Sequence, residues 1–274
     1  MRWLLKPAEL LYRAINRTRR VLYRAGILQS KKLRVPVISV GGIAAGGSGK
    51  TPAVIAIAGA LVARGLRVGV LTRGYGRAGE GGVVNALDPD RYGDEPVLIK
   101  KQVPAADVIV GKNRYANALQ QSVDIFILDD GFQHLQLHRD FDVVIDNPAA
   151  GFLREGRSAF RFADVVLPRR IKTAIPGSLR GKRVFAFAGL ADNRQFFESL
   201  GLPIAGSHSF PDHHRYDTSD IEQIKKEARE AGAEAIVTTE KDAVKIDDSA
   251  IIAIPAEFVI DSADLDRILA AVRK

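Results

Sequence analysis

The sequence predicts an α/β protein: a doubly wound, mainly parallel sheet followed by a second, smaller α/β unit. Three observations predict it. Short β-branched runs alternate with helical segments along most of the chain, the arrangement that covers a parallel sheet on both faces. Early in that alternation, the apolar run Val37-Ile38-Ser39-Val40 passes through a glycine-rich loop into a long Ala/Ile/Val/Leu helix. A Pro/Gly/basic connector, 171–183, then restarts the pattern. The expected organisation is a basic helix over 1–28, a first α/β domain over 29–170 and a smaller one over 171–274.

The first segment holds the charge asymmetry. Lys and Arg total 40, Asp and Glu 32, a net charge of +8 in 274 residues. Nine of the basic residues and one acid, Glu9, lie within 1–32, so the rest of the chain is neutral. At 100° per residue Leu4, Ala8, Leu11, Ile15 and Leu22 share a stripe, with Arg2, Lys6, Arg13, Arg17, Arg20 and Arg24 opposite. Trp3, Tyr12 and Tyr23 flank it, where amphipathic rings suit a headgroup region. Three readings stand: a helix lying in an anionic membrane surface, a terminal helix packed on the body with a solvated basic face, and a nucleic-acid arm. The apolar stripe disfavours the last, so no nucleic-acid partner is expected. Gly26 is the expected stop. No apolar run reaches transmembrane length, and no signal-peptide core is expected at the start. With no cysteine, disulfides and thiolate metal sites are excluded, which fits a reducing compartment.

Gly41-Gly42-Ile43-Ala44-Ala45-Gly46-Gly47-Ser48-Gly49-Lys50-Thr51-Pro52 has the layout of a phosphate-binding P-loop, with Ala44 where the pattern has glycine. The fold is therefore expected to be P-loop NTPase-type. Residues Ala44, Ala45, Gly46, Gly47, Ser48, Gly49, Lys50 and Thr51 form the expected cradle for ATP. Glycines let successive N–H groups face phosphate oxygens, and the helix dipole adds positive potential. Lys50 is placed to reach the β/γ-phosphates and Thr51 to bring its hydroxyl to Mg²⁺.

Helix 52–64 ends at Gly65, and strand 67–72 leads into a flexible loop with Arg73, Tyr75 and Arg77. Gly93-Asp94-Glu95-Pro96 opens the next helix. Strand 108–110, helix 114–121 and strand 125–128 follow, the last ending in Asp129-Asp130-Gly131, and 143–145 and 165–167 add buried strands. Ligands bind beyond the carboxyl ends of such strands, so the P-loop, the Arg73 loop and the two aspartates are expected to converge. In the second unit, strand 184–187 precedes helix 193–200, and 207–220 is polar and histidine-rich. Ser219 and Glu222 form a capping box for helix 220–231, strands 235–237 and 251–254 follow, and helix 263–272 closes the chain.

Asp129 and Asp130 end an apolar strand, where a P-loop enzyme keeps its Mg²⁺-side carboxylate; an ordinary Asp-Gly turn is the plain alternative. Asp94 reads from spacing as a helix-start residue, and functionally as a proton acceptor for an attacking hydroxyl. His134 and His138 have the spacing of a zinc pair but lack the accompanying glutamate. Phe210-Pro211-Asp212-His213-His214 joins acid and imidazole in one turn. Arg114 at a helix start opposes the dipole preference and hints at an anionic ligand; Arg154 lies on the same strand-end side.

Taken together these segments resemble the tetraacyldisaccharide 4′-kinases of lipid A biosynthesis. The resemblance spans nearly the whole chain, through Leu5-Lys6-Pro7, Pro36-Val37-Ile38-Ser39-Val40-Gly41, Gly46-Gly47-Ser48-Gly49-Lys50-Thr51-Pro52 and Arg73-Gly74-Tyr75. It continues through Gly93-Asp94-Glu95-Pro96, Asn113-Arg114-Tyr115, Leu128-Asp129-Asp130-Gly131-Phe132-Gln133-His134 and Leu153-Arg154-Glu155. Phe210-Pro211-Asp212-His213 and Thr239-Glu240-Lys241-Asp242-Ala243 complete it. The resemblance implies ATP-dependent phosphorylation of the 4′-hydroxyl of a tetraacyldisaccharide 1-phosphate to lipid IVA, at the cytoplasmic face of a bacterial inner membrane. It implies Asp94, His213 and Lys50 as catalytic residues, Thr51, Asp129 and Asp130 on the Mg²⁺ side, and Arg73, Tyr75, Arg114 and Arg154 toward the sugar or its 1-phosphate. It also implies closure of a cleft, since His213 lies in the second unit. Ala44 fits this family; Gly42 and the loosened stretch 147–152 depart from it and put loop rigidity and the contact near Arg154 in question. The rival class is a P-loop ATPase switch that binds a membrane or protein partner without phosphorylating lipid.

Overall fold

A computed structural model describes residues 6–45, 49–75, 77–148 and 152–271. The predicted P-loop residues Gly46, Gly47 and Ser48 lie outside them. The chain runs through α1 (Lys6–Arg24), β1 (Val37–Gly42), β2 (Ala44–Ala45), α2 (Lys50–Val62), β3 (Val68–Thr72) and β4 (Gly82–Val83). Next come α3 (Pro89–Tyr92), α4 (Asp94–Gln102), β5 (Asp107–Val110), α5 (Arg114–Ala118), β6 (Ile125–Asp129) and β7 (Phe141–Asp146). After β8 (Phe152–Leu153) and a 3₁₀ turn (Arg157–Phe162) lie β9 (Val165–Pro168) and β10 (Ile171–Thr173). The second unit holds β11 (Val184–Ala188), α6 (Asn193–Ser199), β12 (Ile204–Ser209), α7 (Thr218–Glu230), β13 (Ala235–Thr239), α8 (Glu240–Ala243) and β14 (Ile251–Ile254). β15 (Ala256–Phe258) and α9 (Ser262–Ala270) complete the described chain.

The large sheet has the order β4-β5-β3-β6-β1-β7-β9, parallel except for β4. Every residue of β1, β3 and β6 is buried. That is why these strands read as continuous apolar runs instead of alternating ones. α2 is apolar nearly all round because it is enclosed. Ala53, Val54, Ile57, Ala58 and Leu61 are buried in the main core, which also takes in Phe258, Ile268 and Leu269. The tail of the expected 171–274 unit therefore packs on the first sheet. β10 pairs with β15, so the chain crosses from the first unit and back on adjacent strands. Apolar residues of β15 and α9 supply the cover α2 needs, a long-range fit that local pattern does not reveal.

The smaller sheet, β12-β11-β13-β14, is parallel with a core on each face. Its edge strand β12 occupies part of the stretch read as a polar histidine-rich segment. The cap of α7 also differs from the expected Ser219/Glu222 box: Asp217 is the N-cap and exchanges hydrogen bonds with Asp220, two residues earlier. A carboxylate serves both positions of a box as well as a hydroxyl and a glutamate do. α5 is shorter than the predicted 114–121, with Asn113 as its cap.

α1 docks in the opposite sense to an ordinary terminal helix. Two polar side chains are turned inward, Asn16 and Arg20, which are buried, while Arg17 and Arg24 stay exposed. Arg20 grips Glu155 with two bonds, Nε–Oε2 3.0 Å and Nη2–Oε1 2.7 Å, and donates to the Phe132 carbonyl at 3.1 Å. Asn16 donates to the Arg154 carbonyl at 3.0 Å. Leu10, Leu11, Ile15 and Val21 face outward, each about half exposed or more, Leu11 at 64%. The expectation that Arg20 lies on a solvated basic face is thus corrected. The buried carboxylate of Glu155 draws it in, and the apolar stripe is left outside.

Candidate active site

The strand ends converge as the topology requires. Gly49 precedes α2 at φ 76°, the left-handed region in which a side chain is strained, so the loop turns into its helix there. Lys50, the first residue of α2, sets its Nζ 3.0 Å from Asp130 Oδ1. Arg154 Nη1 reaches the other oxygen at 2.6 Å. Asp130 itself sits at φ 50°, uncommon outside glycine, as strained residues at functional sites often are. Burial opposes its ionisation, but Lys50 and Arg154 hold its carboxyl at about 2.

Asp129 differs from its neighbour. It is buried, it accepts a hydrogen bond from Thr72 Oγ1 at 2.8 Å, and burial followed by the charges of Glu95 and Asp130 pushes its carboxyl up to about 7. A carboxyl destabilised by neighbouring acids is one that a cation would restore to the ionised form. No group of three or more His, Asp or Glu capable of holding an ion gathers among the described residues. Mg²⁺ in nucleotide sites asks for less, one or two carboxylates with water and substrate phosphates, so the oxygen donors Asp129 and Thr51 fit it. Asp130 is engaged by two cations.

Arg114 is buried at the start of α5, with Nη1 3.4 Å from His134 Nδ1 and, among the described residues, no partner for its Nε. Desolvation lowers its pKa and Asp129 and Asp130 oppose this, so it lies within reach of the acid pair. Arg154, expected toward the sugar, has one guanidinium nitrogen on Asp130. Arg73 and Tyr75 line a cavity of about 280 Å³ with Arg77 and Lys112. Tyr75 is 70% exposed, its ring centroid 5.5 Å from that of His213.

The Asp94–His213 pair spans the two units. Gly93, at φ 95°, caps α4 and passes so close to the Tyr75 carbonyl that a Cβ would stand 3.0 Å from it. Asp94 follows as the first residue of α4, and its Oδ2 lies 3.1 Å from His213 Nδ1. His213 sits at φ 60° in the turn after β12. Lys241 Nζ approaches the other ring nitrogen, Nε2, at 3.3 Å. An ammonium has only donors, so Nε2 accepts and the ring hydrogen is on Nδ1, aimed at Asp94. Lys245 adds a second cation, 3.6 Å from Asp94 Oδ2 and 2.8 Å from Asp242 Oδ1, with its side chain only 6% exposed. Burial pushes the Asp94 carboxyl up, but the His213 hydrogen bond and then Lys245 hold it below the usual range.

Lys241 and Lys245 are the residues sequence reasoning gave no role. The signal was the alternation of acid and lysine immediately after β13, in Thr239-Glu240-Lys241-Asp242-Ala243-Val244-Lys245. Asp242 anchors this segment, fully buried and bonded to the Gly189 N–H and Thr239 Oγ1.

A P-loop strand-to-helix turn, a buried acid ending the neighbouring strand β6 and a carboxylate–imidazole pair at the start of α4 define an ATP-dependent phosphotransferase. The family model described as Tetraacyldisaccharide-1-P 4′-kinase (LpxK) matches residues 1–176 and 157–274. The chain belongs to this family. It is 39% identical over 298 residues to a tetraacyldisaccharide 4′-kinase of Pelobacter propionicus, covering 89% of this chain and 82% of the relative. A Geobacter metallireducens protein of the same name is 37% identical, with 89% and 88% covered. LpxK from Aquifex aeolicus, solved in complex with ATP, superposes with a TM-score of 0.81 at 31% identity over 99% of both chains.

Proposed function

We propose that this protein transfers the γ-phosphoryl group of ATP to the 4′-hydroxyl of a tetraacyldisaccharide 1-phosphate, giving lipid IVA. Family membership supports the reaction. The observation that carries the assignment of residues is the Asp94–His213 contact at 3.1 Å, made between the two units beside the loops that end the large sheet.

Phosphoryl transfer asks for alignment and charge neutralisation more than covalent help. The P-loop backbone and Lys50 bind the phosphates; Lys50 then exchanges Asp130 for a phosphate oxygen. Thr51 and Asp129 would hold Mg²⁺, with Asp130 beside them; when bound, the ion neutralises charge on the β- and γ-phosphates. Asp94, kept ionised by its two-sided contact with His213 and Lys245, accepts the 4′-hydroxyl proton late in transfer, when the oxygen has become acidic. His213 fixes the orientation of that carboxylate and is itself oriented by Lys241. Arg73, Tyr75 and Arg114 face the acceptor. Arg114, with an unpartnered Nε, is the best placed of the three for a substrate oxygen.

The acceptor is an acylated lipid, so the enzyme works at a membrane surface. We propose α1 as the contact, with Leu10, Leu11, Ile15 and Val21 entering the headgroup–acyl boundary. Among the described residues no helix is long and apolar enough to cross a membrane. A peripheral position on the cytoplasmic face of the inner membrane accords with this.

Incubation with γ-labelled ATP and the disaccharide 1-phosphate in mixed micelles tests the reaction. Label on the 4′-oxygen is expected. Release of labelled inorganic phosphate with none on lipid would support the ATPase-switch reading instead.

A further inference from the structure

A cavity of about 390 Å³ opens between the second half of α1 and the segments 135–139 and 161–162. Arg20, Arg24, Arg139, Arg161 and His138 line it, and among the described residues no acid does. Two of its guanidinium groups are already neutralised from behind: Arg20 by Glu155 and Arg139 by Asp142. Arg24 and Arg161 are different. Among the described residues both lie over the face of Phe162, at 4.9 and 4.8 Å from its centroid, and Arg20 stands over the same ring at 5.0 Å. The two unneutralised guanidinium groups of Arg24 and Arg161 share one ring and repel each other, and an anion between them would relieve this. The carboxyl end of α1 lies nearby and opposes an anion with about half a negative charge. Two unneutralised guanidinium groups outweigh it.

We propose that this cavity takes the phosphate of an anionic phospholipid of the bilayer, and so fixes how α1 sits on the membrane. The inference rests on the reading of α1 as the membrane contact. The choice of ligand follows from position. The helix that supplies Arg20 and Arg24 turns Leu11, Ile15 and Val21 to the outside, and Ile27 and Leu28 continue the exposed apolar surface just past its end. A headgroup phosphate lodged against Arg24 and Arg161 leaves its acyl chains alongside those residues. Guanidinium forks match phosphate oxygens in pairs, which a diffuse basic surface does not.

Co-sedimentation of the full chain with vesicles tests this, comparing pure phosphatidylcholine with phosphatidylcholine containing about one quarter phosphatidylglycerol. The doubly substituted variant Arg24→Gln/Arg161→Gln is expected to lose about tenfold in affinity for the anionic vesicles. Its binding to neutral vesicles and its thermal unfolding should stay unchanged. Arg17→Gln/Lys32→Gln, the same charge change outside the cavity, is expected to lose much less. Equal losses from the two pairs would overturn the proposal in favour of diffuse attraction. Wild-type protein that binds both vesicles alike would overturn the cavity but leave the membrane role of α1; binding to neither would remove both. The KM for lipid acceptor in neutral detergent micelles free of phospholipid should not change in Arg24→Gln/Arg161→Gln. A rise there would assign the cavity to the phosphate of the substrate and overturn the choice of ligand.

Discussion

Replacing Arg20 by methionine removes the one charge that neutralises Glu155 from the α1 side. Both side chains are 6% exposed and joined by two bonds, so the remaining carboxylate would be buried without its cation. The Gln133 amide, 3.0 Å from Glu155 Oε1, offsets only part of this. Breaking a buried pair on one side costs about 3–5 kcal/mol, which for a chain of this size lowers Tm by roughly 6–20 °C. Undocking of α1 is the alternative relief, because it lets water reach Glu155. In that case the Tm shift is smaller and trypsin cuts α1 much faster. Thermal unfolding followed by calorimetry, with limited proteolysis in parallel, reads both. The double variant Arg20→Met/Glu155→Leu should recover most of the loss, since an apolar pair of similar volume suffers no desolvation. A single variant within about 1 kcal/mol of wild type and equally resistant to trypsin would refute the anchoring argument. So would a double variant no better than the single one.

Asp94→Asn is expected to lower kcat by about 10²–10⁴-fold while calorimetric ATP binding stays the same, because it removes the proton acceptor and leaves the P-loop intact; near-normal kcat would take Asp94 out of the chemistry. Lys245→Met should move the acid limb of the kcat–pH profile to higher pH. Asp94 is held below its usual range partly by that ammonium, so the ionised form is lost sooner as pH falls in its absence. A uniform loss at every pH would mean that Lys245 only supports the fold. Stability should also depend on His134, whose pKa is lowered to about 4 by burial, then by Arg114, from an unfolded value of about 6.5. Its unfolded form binds more protons between those values, so stability is full above pH 6.5 or so and falls as pH drops toward 4. His134→Gln should flatten that limb in urea titrations at successive pH values; an unchanged slope would show that other groups set it.

Local signals made much of this protein legible from sequence. The P-loop turn is written in glycines and a Lys-Thr pair because backbone sterics and anion geometry act within a dozen residues. Parallel strands such as β1 and β6 are legible as unbroken apolar runs, since burial on both faces leaves no alternation. Asp129 and Asp130 stand at a strand end, and topology alone directs them to the site. What surrounds each acid was decided by the tertiary fold: Lys50 and Arg154 converge on Asp130, while Asp129 is left among carboxylates. Lys241 and Lys245 acquire meaning only when the fold brings them, with His213, to Asp94, more than a hundred residues earlier in the chain. The orientation of α1 is the clearest case. Its hydrophobic periodicity gives an apolar and a basic side with equal force for either docking, and the buried carboxylate of Glu155 draws in the edge that carries Asn16 and Arg20. Periodicity belongs to the helix itself, whereas which face is buried depends on what waits opposite, and only the folded chain contains that.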